Sequence, residues 1–491
     1  MQASAPPVRD HFRAQAFTWI ATGVLAFLRL AHVHLLWADE DFHLAAALNL
    51  LHGRIPYRDF LYDKPPLSAF YYFLIGAYPG WPLRLLDGCY VLLACYLAYR
   101  IAREWWGELE GQLAAVLFAF FMAFYLPSAV ISFAPDALMI VPHLAAIYFV
   151  QERSPFWSGL FAGIAFLVNT KAVFVLAVCG LWVVPAIWSE LIRTWARLTL
   201  GFAVPLMASV LALLMTGAWH GYVEQVWLWG FQYAKQPPTA NPLYTGLALT
   251  SNWLGFHSAL VVAAIFALWK MRLRDRLKMI LWLVLSFMAV SLGGRFSPRY
   301  FLQLLPPLVI AASAGFVLLW EAYQSRATAV LAVLLLIPLA RFGPRYVMLA
   351  ADNLRDREPQ WADVAMDLDN QQAAAKIRAL ARPGDTLFVW GLRSSIYVYT
   401  RMISDSRFWD SEPLTGVPGD RHLSVTTVID SGPAAEYRRQ LVHSRPTFIV
   451  DGLGPLNPRL APEVYPELRP WLSRYRVVGR TGLTVIYRRL E

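Results

Sequence analysis

Long apolar runs separated by short polar segments occupy the first 350 residues of the chain. A helix that crosses a bilayer core of about 30 Å needs roughly 17–25 apolar residues. By this criterion we predict membrane-spanning helices at 16–36, 83–101, 110–126, 134–150, 157–170, 172–188, 197–217, 254–270, 279–293, 300–320 and 327–347. The fifth and sixth form one run that Asn169, Thr170 and Lys171 interrupt. We interpret this break as a turn at a membrane surface, because a lysine in mid-bilayer would be costly.

The distribution of Lys and Arg predicts which side of the membrane each segment faces. With eleven spans and a cytoplasmic N-terminus, the densest basic cluster, 270–278, is cytoplasmic, and the short external loops 127–133 and 294–299 contain only Arg295 and Arg299. This agrees with the excess of basic residues in cytoplasmic loops. With ten spans, the side of every segment after 171 would invert. We therefore predict a multi-pass protein of the bacterial inner (plasma) membrane, with its C-terminal region outside.

Residues 351–491 have the pattern of an ordinary folded domain. It predicts helices at 362–381 and 434–443, strands at 385–391 and 447–451, and a hairpin of 475–479 with 483–488. Such alternation is typical of a small α/β domain. We therefore predict an α-helical polytopic membrane domain at 1–350, with long external loops at 37–82 and 218–253. An extracytoplasmic α/β domain at 351–491 follows it.

The composition supports this division. Of the 491 residues, 57% are hydrophobic and only 15% are charged, whereas soluble domains carry about 25% charged residues. This excludes a soluble single-domain enzyme. The net charge of +10 is explained largely by cytoplasmic loops, so we expect the bilayer, and no nucleic acid, as a partner.

The first candidate for chemistry is a group of three adjacent carboxylates, Asp39, Glu40 and Asp41, directly after the first predicted span. The C-terminal end of a helix is the unfavourable end of its dipole for acids, so stability alone does not explain their position. A carboxylate at the bilayer edge can act as a general base. The alternative is a solvated loop whose acids cap the next helix, predicted at 42–51, with Asp39 or Asp41 as the N-cap.

The second candidate is the segment Tyr62-Asp63-Lys64-Pro65-Pro66. Two prolines restrict the backbone just after the lysine and hold its ammonium group in a defined place. Lys64 could neutralise a lipid phosphate, with Asp63 as its partner or as a metal ligand. The alternative is an exposed ion pair in a loop.

Two further candidates lie at the ends of predicted spans. Asp136 follows Pro135 at the start of the fourth span, where an N-cap competes with a functional role. Arg295 and Arg299 lie in a tight external turn that ends at Tyr300, and they break the positive-inside pattern. An anionic ligand would explain them, because guanidinium groups match phosphate oxygens. Binding of lipid headgroups is the alternative.

Taken in order, these motifs resemble the GT-C superfamily of integral-membrane glycosyltransferases, and in particular the protein-mannosyltransferase-like group that includes bacterial aminoarabinose transferases for lipid A. The resemblance covers roughly 16–320. It rests on the acidic pair 39–40, Lys-Pro-Pro-Leu at 64–67, Pro-Asp at 135–136, and the segments 159–171 and 299–308. None of these motifs falls in 351–491.

The resemblance implies a hexosyl- or pentosyltransferase. Such an enzyme moves a sugar from a polyprenyl-phosphate donor to a glycan, lipid or protein acceptor on the external face, with inversion. The implied residues are catalytic Asp39, Glu40 and Asp136; Lys64, Arg295, Arg299 and Tyr300 for the donor phosphate; Tyr62, Asp41 and His43 as other site candidates; and Asp63 for a divalent metal, which only some members use. Asp39 matches the general base. Because Asp41 and His43 add polarity that relatives commonly lack, the choice among the three acids stays open.

Two other classes of protein compete with this interpretation. A transporter or flippase of an amphipathic lipid predicts inverted repeats, and the sequence shows none. A non-catalytic membrane assembly protein would leave the paired acids and the two external arginines without a role.

Overall fold

A computed structural model describes residues 8–125, 132–183, 188–235, 241–359 and 361–490, and it is mostly helical. In chain order the helices are α1 (Val8–Phe27), α2 (Glu40–Leu51), α3 (Phe70–Phe73), α4 (Trp81–Trp105), α5 (Glu108–Ala123), α6 (Pro135–Leu138), α7 (Ile140–Gln151), α8 (Pro155–Val168), α9 (Val173–Trp182), α10 (Trp188–Met215), α11 (Trp219–Tyr222), α12 (Trp229–Ala234), α13 (Pro242–Phe256), α14 (Ser258–Lys270), α15 (Leu273–Ser291), α16 (Leu305–Tyr323), α17 (Ser325–Leu354), α18 (Ala365–Leu380), α19 (Ser395–Thr400), α20 (Glu412–Thr415), α21 (Gly432–Leu441) and α22 (Arg469–Leu472). The strands are β1 (Leu387–Trp390), β2 (Phe448–Asp451), β3 (Tyr475–Arg480) and β4 (Val485–Arg489).

Where the structure describes them, the apolar segments predicted to span the membrane are largely helical; residues 126 and 184–187 of two predicted spans, and 127–131 of a predicted loop, lie outside the described residues. Within the described residues, α4, α10, α15, α16 and α17 are long and apolar enough to cross a membrane, and α13 with α14, bent by 88°, makes a sixth if the pair is one span. The helices α7, α8 and α9 are apolar but shorter. The chain is therefore an integral membrane protein, and the count of eleven spans stays a prediction.

The predicted break in the run 157–188 is confirmed. Helix α8 ends at Val168, and a 3-10 turn at Thr170–Ala172 precedes α9. The side chain of Asn169 accepts a hydrogen bond from the backbone N–H of Lys171 at 3.1 Å. This local contact satisfies a donor that the interrupted helix leaves open.

The chain forms two compact units. The first contains Met1–Val33, Arg84–Ser209 and Asn241–Arg355; the second contains His34–Leu83, Val210–Ala240 and Asp356–Glu491. The second unit thus combines the predicted first external loop and part of the second with the C-terminal residues.

Small residues let helices of the first unit approach closely. A Cβ atom on Gly315 of α16 would overlap the carbonyl of Ala263 on α14. A Cβ on Gly159 of α8 would likewise overlap the carbonyl of Leu198 on α10. Close approach through small residues is characteristic of helix packing in membranes.

The second unit contains a four-stranded sheet in the order β1-β2-β4-β3. Strands β1 and β2 are parallel, with Leu387 opposite Phe448, and β4 pairs antiparallel with both β2 and β3. All residues of β1 and β2 are buried, in a core that includes Trp390 and Trp471. The predicted strands, the hairpin and the small α/β architecture are confirmed.

Candidate active site

The predicted site residues form two groups, one in each unit. The second unit holds Asp39, Glu40, Asp41, His43, Tyr62, Asp63 and Lys64, and the first holds Asp136, Arg295, Arg299 and Tyr300.

The backbone of Asp39 has an unusual conformation. Asp39 lies at the N-cap position of α2 with φ 76° and ψ −39°, and its side chain makes no capping hydrogen bond to the helix. Instead, Glu40 Oε2 accepts a hydrogen bond from the backbone N–H of Trp37 at 3.3 Å. A non-glycine residue at positive φ costs about 1–3 kcal/mol and often marks a functional position. The capping role considered for Asp39 is therefore not what holds it here.

Asp41 is tied to backbone groups. Its carboxylate accepts hydrogen bonds from the N–H of Phe42 at 2.7 Å and from the N–H of Ser395 at 3.0 Å. Burial raises the pKa of Asp41 to about 7, although these two hydrogen bonds lower it. Asp41 is 8% exposed and Glu40 is fully buried, whereas Asp39 is only partly buried.

His43 and Tyr62 form a buried hydrogen-bonded pair, with His43 Nδ1 2.6 Å from the Tyr62 hydroxyl. Burial, reinforced by the charge of Lys64, lowers the pKa of His43 well below its usual range. Burial raises the pKa of Tyr62 well above its usual range. The phenol therefore keeps its proton and the imidazole is neutral, so the pair shares a hydrogen bond whose direction is set by the histidine tautomer. The imidazole also stacks on Tyr72.

Lys64 has a side chain that is 36% exposed and forms an ion pair with Asp63. Its carbonyl accepts a hydrogen bond from the Tyr57 hydroxyl at 2.7 Å, and Pro66 begins a 3-10 turn two residues later. The ammonium lies 5.9 Å from the ring centroid of Phe42. These contacts anchor both the backbone and the ammonium of the lysine, and its role at a donor phosphate stays a prediction.

A glutamine from 218–253, the loop predicted to be external, holds the same segment. Gln225 lies in a π-helical turn at Val223–Leu228, a local geometry that is frequent at functional sites. Its side chain accepts from the N–H of Tyr62 at 2.8 Å and donates to the carbonyl of Tyr57 at 2.9 Å. The sequence analysis did not find this residue, because nothing local distinguishes it.

Two carboxylates beside the Asp63–Lys64 pair were also not predicted. Asp410 and Glu412 come from the C-terminal region, and both interact electrostatically with Asp63 and Lys64. Burial is the main reason that the pKa of Asp410 rises to about 7 and that of Glu412 to about 8. About 350 positions separate them from Lys64 in the chain, and no motif there indicated a site.

The expected divalent metal has no support from these residues. In the described parts of the chain, no group of three or more His, Cys, Asp or Glu side chains could hold a metal ion. Asp63 already faces the ammonium of Lys64, which a metal cation would have to displace. A metal at Asp63 stays a prediction, and the reaction proposed below does not use it.

In the first unit, Asp136 is the centre of a polar group. It lies in α6 directly after Pro135 and is 6% exposed. Its Oδ1 accepts a hydrogen bond from Asn169 Nδ2 at 3.0 Å, and its Oδ2 lies 3.8 Å from Arg299 Nε. The structure thus joins Asp136 to the turn that contains Arg295 and Arg299 and to the break between α8 and α9.

Lys171 extends this group. Its ammonium lies 2.9 Å from the ring centroid of Tyr300, and the guanidinium of Arg299 lies 5.9 Å from the same ring. Arg295, in the same turn, is buried. Lys171 was interpreted only as part of a turn, although a polar triplet inside an apolar run is itself a signal of function. Two cations, Lys171 and Arg299, interact with the carboxylate of Asp136, and such a group suits an anionic ligand.

The comparisons with known proteins agree with this architecture. A family model, dolichyl-phosphate-mannose-protein mannosyltransferase, matches residues 63–219. The structure of ArnT from Cupriavidus metallidurans bound to undecaprenyl phosphate superposes with a TM-score of 0.61 at 16% identity, covering 96% of this chain and 97% of ArnT. The resemblance to the GT-C glycosyltransferases is confirmed.

Two other structures share the GT-C fold with this chain. The Archaeoglobus fulgidus oligosaccharyltransferase in its apo form superposes with a TM-score of 0.52 at 13% identity. The match covers 92% of this chain and 70% of the oligosaccharyltransferase chain. The arabinofuranosyltransferase AftD from mycobacteria superposes with a TM-score of 0.50 at 15% identity. The match covers 97% of this chain and 41% of the AftD chain. No curated protein matches the sequence.

Proposed function

We propose that this protein is a glycosyltransferase that moves a sugar from a polyprenyl-phosphate donor to an acceptor on the external face of the membrane, with inversion. The observation that carries the proposal is the likeness to ArnT over almost the whole chain, because that structure holds undecaprenyl phosphate. The finer topology belongs to the same proposal. It comprises eleven spans, a cytoplasmic N-terminus, an external domain at 351–491 and a location in the bacterial inner membrane.

The reaction requires little from the protein beyond one base and cations. We propose that the Asp39 carboxylate takes the proton of the acceptor hydroxyl or amine as the acceptor atom attacks the anomeric carbon. The bond between that carbon and the phosphate oxygen breaks, and the lipid phosphate leaves with the electron pair. Attack opposite the leaving group inverts the anomeric centre.

Exposure and backbone conformation favour Asp39 over its two neighbours as the base. Glu40 is fully buried and binds the N–H of Trp37, and Asp41 binds two backbone N–H groups. Asp39 is more accessible than either neighbour, and its backbone has a positive φ, which often marks a functional position. We assign Glu40 and Asp41 to holding the segment, and Asp39 to the chemistry.

For the second unit we propose that Lys64 neutralises the donor phosphate. Its side chain is 36% exposed, its ammonium pairs with Asp63, and its backbone carbonyl accepts a hydrogen bond from the Tyr57 hydroxyl. A phosphate would therefore compete with Asp63 for the ammonium.

For the first unit we propose that Lys171, Arg295 and Arg299 form an anion-binding group for the lipid phosphate. Tyr300 and Asp136 hold two of these cations in place. Asp136 thereby contributes to catalysis by orienting Arg299, while the three cations keep an excess of positive charge.

The proposal is tested with purified protein in lipid and a panel of radiolabelled polyprenyl-phosphate sugars. We expect Asp39→Asn to lower kcat by about 10²–10⁴-fold, the usual contribution of a general base, with little change in donor affinity. Asp356→Asn is the matched control, because Asp356 is another aspartate at positive φ. Undiminished turnover in Asp39→Asn would exclude Asp39 as the base, and no transfer from any donor by the wild type would count against the enzyme.

The role of Lys64 is tested in the same assay. Lys64→Ala is expected to raise the donor KM by about tenfold or more, because it removes a charge-assisted contact with phosphate. The control is Arg58→Ala, which removes the cation of the exposed Arg58–Asp59 pair in the same loop. Equal effects of the two substitutions would show that Lys64 has no special relation to the donor.

A further inference from the structure

Residues of the C-terminal region hold the acidic segment, residues 39–41, on both sides. Before Asp39, the backbone N–H of Leu36 donates to Asp367 Oδ2 at 3.0 Å. After it, Asp41 Oδ2 accepts from the N–H of Ser395 at 3.0 Å. The two contacts join positions that are 331 and 354 residues apart in the chain. They therefore fix both ends of the short stretch in which Asp39 has its positive φ.

The Asp367 carboxylate, which accepts the hydrogen bond from Leu36, is itself held by other side chains. Asp367 also accepts hydrogen bonds from the Tyr399 hydroxyl at 2.9 and 3.1 Å and from Gln371 Nε2 at 2.9 Å. Gln371 Nε2 donates in addition to the carbonyl of His34 at 2.8 Å. The carboxylate that holds Leu36 is thus itself oriented by two side chains.

A stack of three aromatic rings makes a second connection. Phe42 lies between Tyr62, with ring centroids 5.6 Å apart at 14°, and Trp409 of the C-terminal region, with centroids 4.7 Å apart at 28°. Trp409 Nε1 donates to the carbonyl of Leu61 at 2.7 Å, and Trp409 is 2% exposed. The stack therefore links the residues next to Asp41 and Asp63 to one buried tryptophan.

A third connection lies just beyond the end of α2. Arg54 donates to the carbonyls of Ser404 and Ser406, each at 2.7 Å, and to Asn49 Oδ1 at 2.9 Å. Helix α2, which begins within the acidic segment, is thus held at both of its ends by contacts to the C-terminal region. A strained residue persists only where the surrounding structure fixes it, and contacts from Asp367, Ser395 and Trp409 contribute to that fixing here.

We infer that the C-terminal α/β region contains positioning residues of the transfer reaction, which keep Asp39 in its left-handed conformation: Trp409, Asp367 and the N–H of Ser395. Their catalytic meaning rests on the proposed function, whereas their effect on the segment 36–43 does not. The region then contributes to turnover without touching the reacting atoms.

The experiment compares two tryptophans in the full-length protein. Trp471 matches Trp409 closely, because it is also 2% exposed and its Nε1 also donates to a backbone carbonyl, that of Ser444, at 3.0 Å. Trp471 lies in the core around β1, not against the acidic segment. We expect Trp409→Phe and Trp471→Phe to lower the thermal midpoint by similar amounts.

Two readouts then separate positioning from simple stability. In Trp409→Phe, but not in Trp471→Phe, kcat should fall by about tenfold or more, because small misplacements of a reacting group are costly. Peptides covering 36–43 should also exchange their amide hydrogens faster. Asp367→Asn, which keeps one carbonyl acceptor, should retain more activity than Asp367→Ala.

Three outcomes decide the inference. Selective effects of Trp409→Phe on kcat and on exchange at 36–43 support it. Equal losses of kcat in both tryptophan variants, or wild-type exchange at 36–43 in Trp409→Phe, overturn it. If the wild type transfers no sugar, the proposed function fails, and the exchange comparison alone decides whether the C-terminal region holds the segment.

Discussion

Replacing Asp41 by asparagine should remove part of a pH dependence of stability that the wild type shows. Burial raises the pKa of Asp41 from 3.8 to about 7, so the folded protein holds this proton more tightly than the unfolded chain does. The resulting stabilisation is fully present below about pH 4 and is lost as the pH rises through about 7. Because a change of one in pKa corresponds to about 1.36 kcal/mol, the loss between about pH 5 and pH 8 is roughly 3 kcal/mol.

The assay is thermal unfolding of the purified protein in detergent at several pH values in this range. The wild type should become less stable as the pH rises, and Asp41→Asn should flatten that slope. Asp410 and Glu412 contribute with the same sign, because burial raises the pKa of both, so the slope will not vanish. Asp59→Asn is the control, since the hydrogen bond from Arg58 lowers the pKa of Asp59. Identical slopes in the wild type and Asp41→Asn would refute the reasoning.

Three further predictions concern the first unit. Asp87→Asn should cost about 3–5 kcal/mol, seen as a lower thermal midpoint, because it removes the carboxylate 2.9 Å from the buried guanidinium of Arg29; an unchanged midpoint would show that the pair is not needed. Gly315→Ala should destabilise by about 1–3 kcal/mol through overlap with α14, whereas Gly230→Ala, with nothing within 4 Å of its Cβ, should not. Lys171→Met should weaken binding of a polyprenyl phosphate by about tenfold or more, as measured by titration, with little effect on folding; unaltered binding would remove Lys171 from the anion group.

Local patterns predicted most of the fold. The apolar runs located the helices, and the alternating segments after 351 located all four strands, because both depend on side-chain period within a few turns or residues. The turn at Asn169–Lys171 was predicted for the same reason. A polar triplet cannot continue an apolar helix through a bilayer without cost.

The site was predicted only where its residues carry a local signal. The acids at 39–41 and the lysine before two prolines are visible as sequence, and the structure finds them in one unit. The positive φ of Asp39 is not visible, because it results from contacts to Asp367 and Ser395 far along the chain. Gln225 and Asp410 were missed for the same reason.

The part of the chain that the family model matches is much shorter than the part that shares the fold. The family model matches only 63–219, although the fold extends over 96% of the chain at 16% identity with ArnT. The match to the family model includes Lys64, Asp136 and Lys171 and leaves out Asp39, Arg295 and Arg299, so it does not separate the proposed site residues from the rest of the chain. A residue that only positions another, such as Trp409 stacked on Phe42, can be replaced by different contacts that hold the same backbone. The part that we infer for the C-terminal region therefore rests on its contacts to the segment 36–43, and it needs no motif after 351.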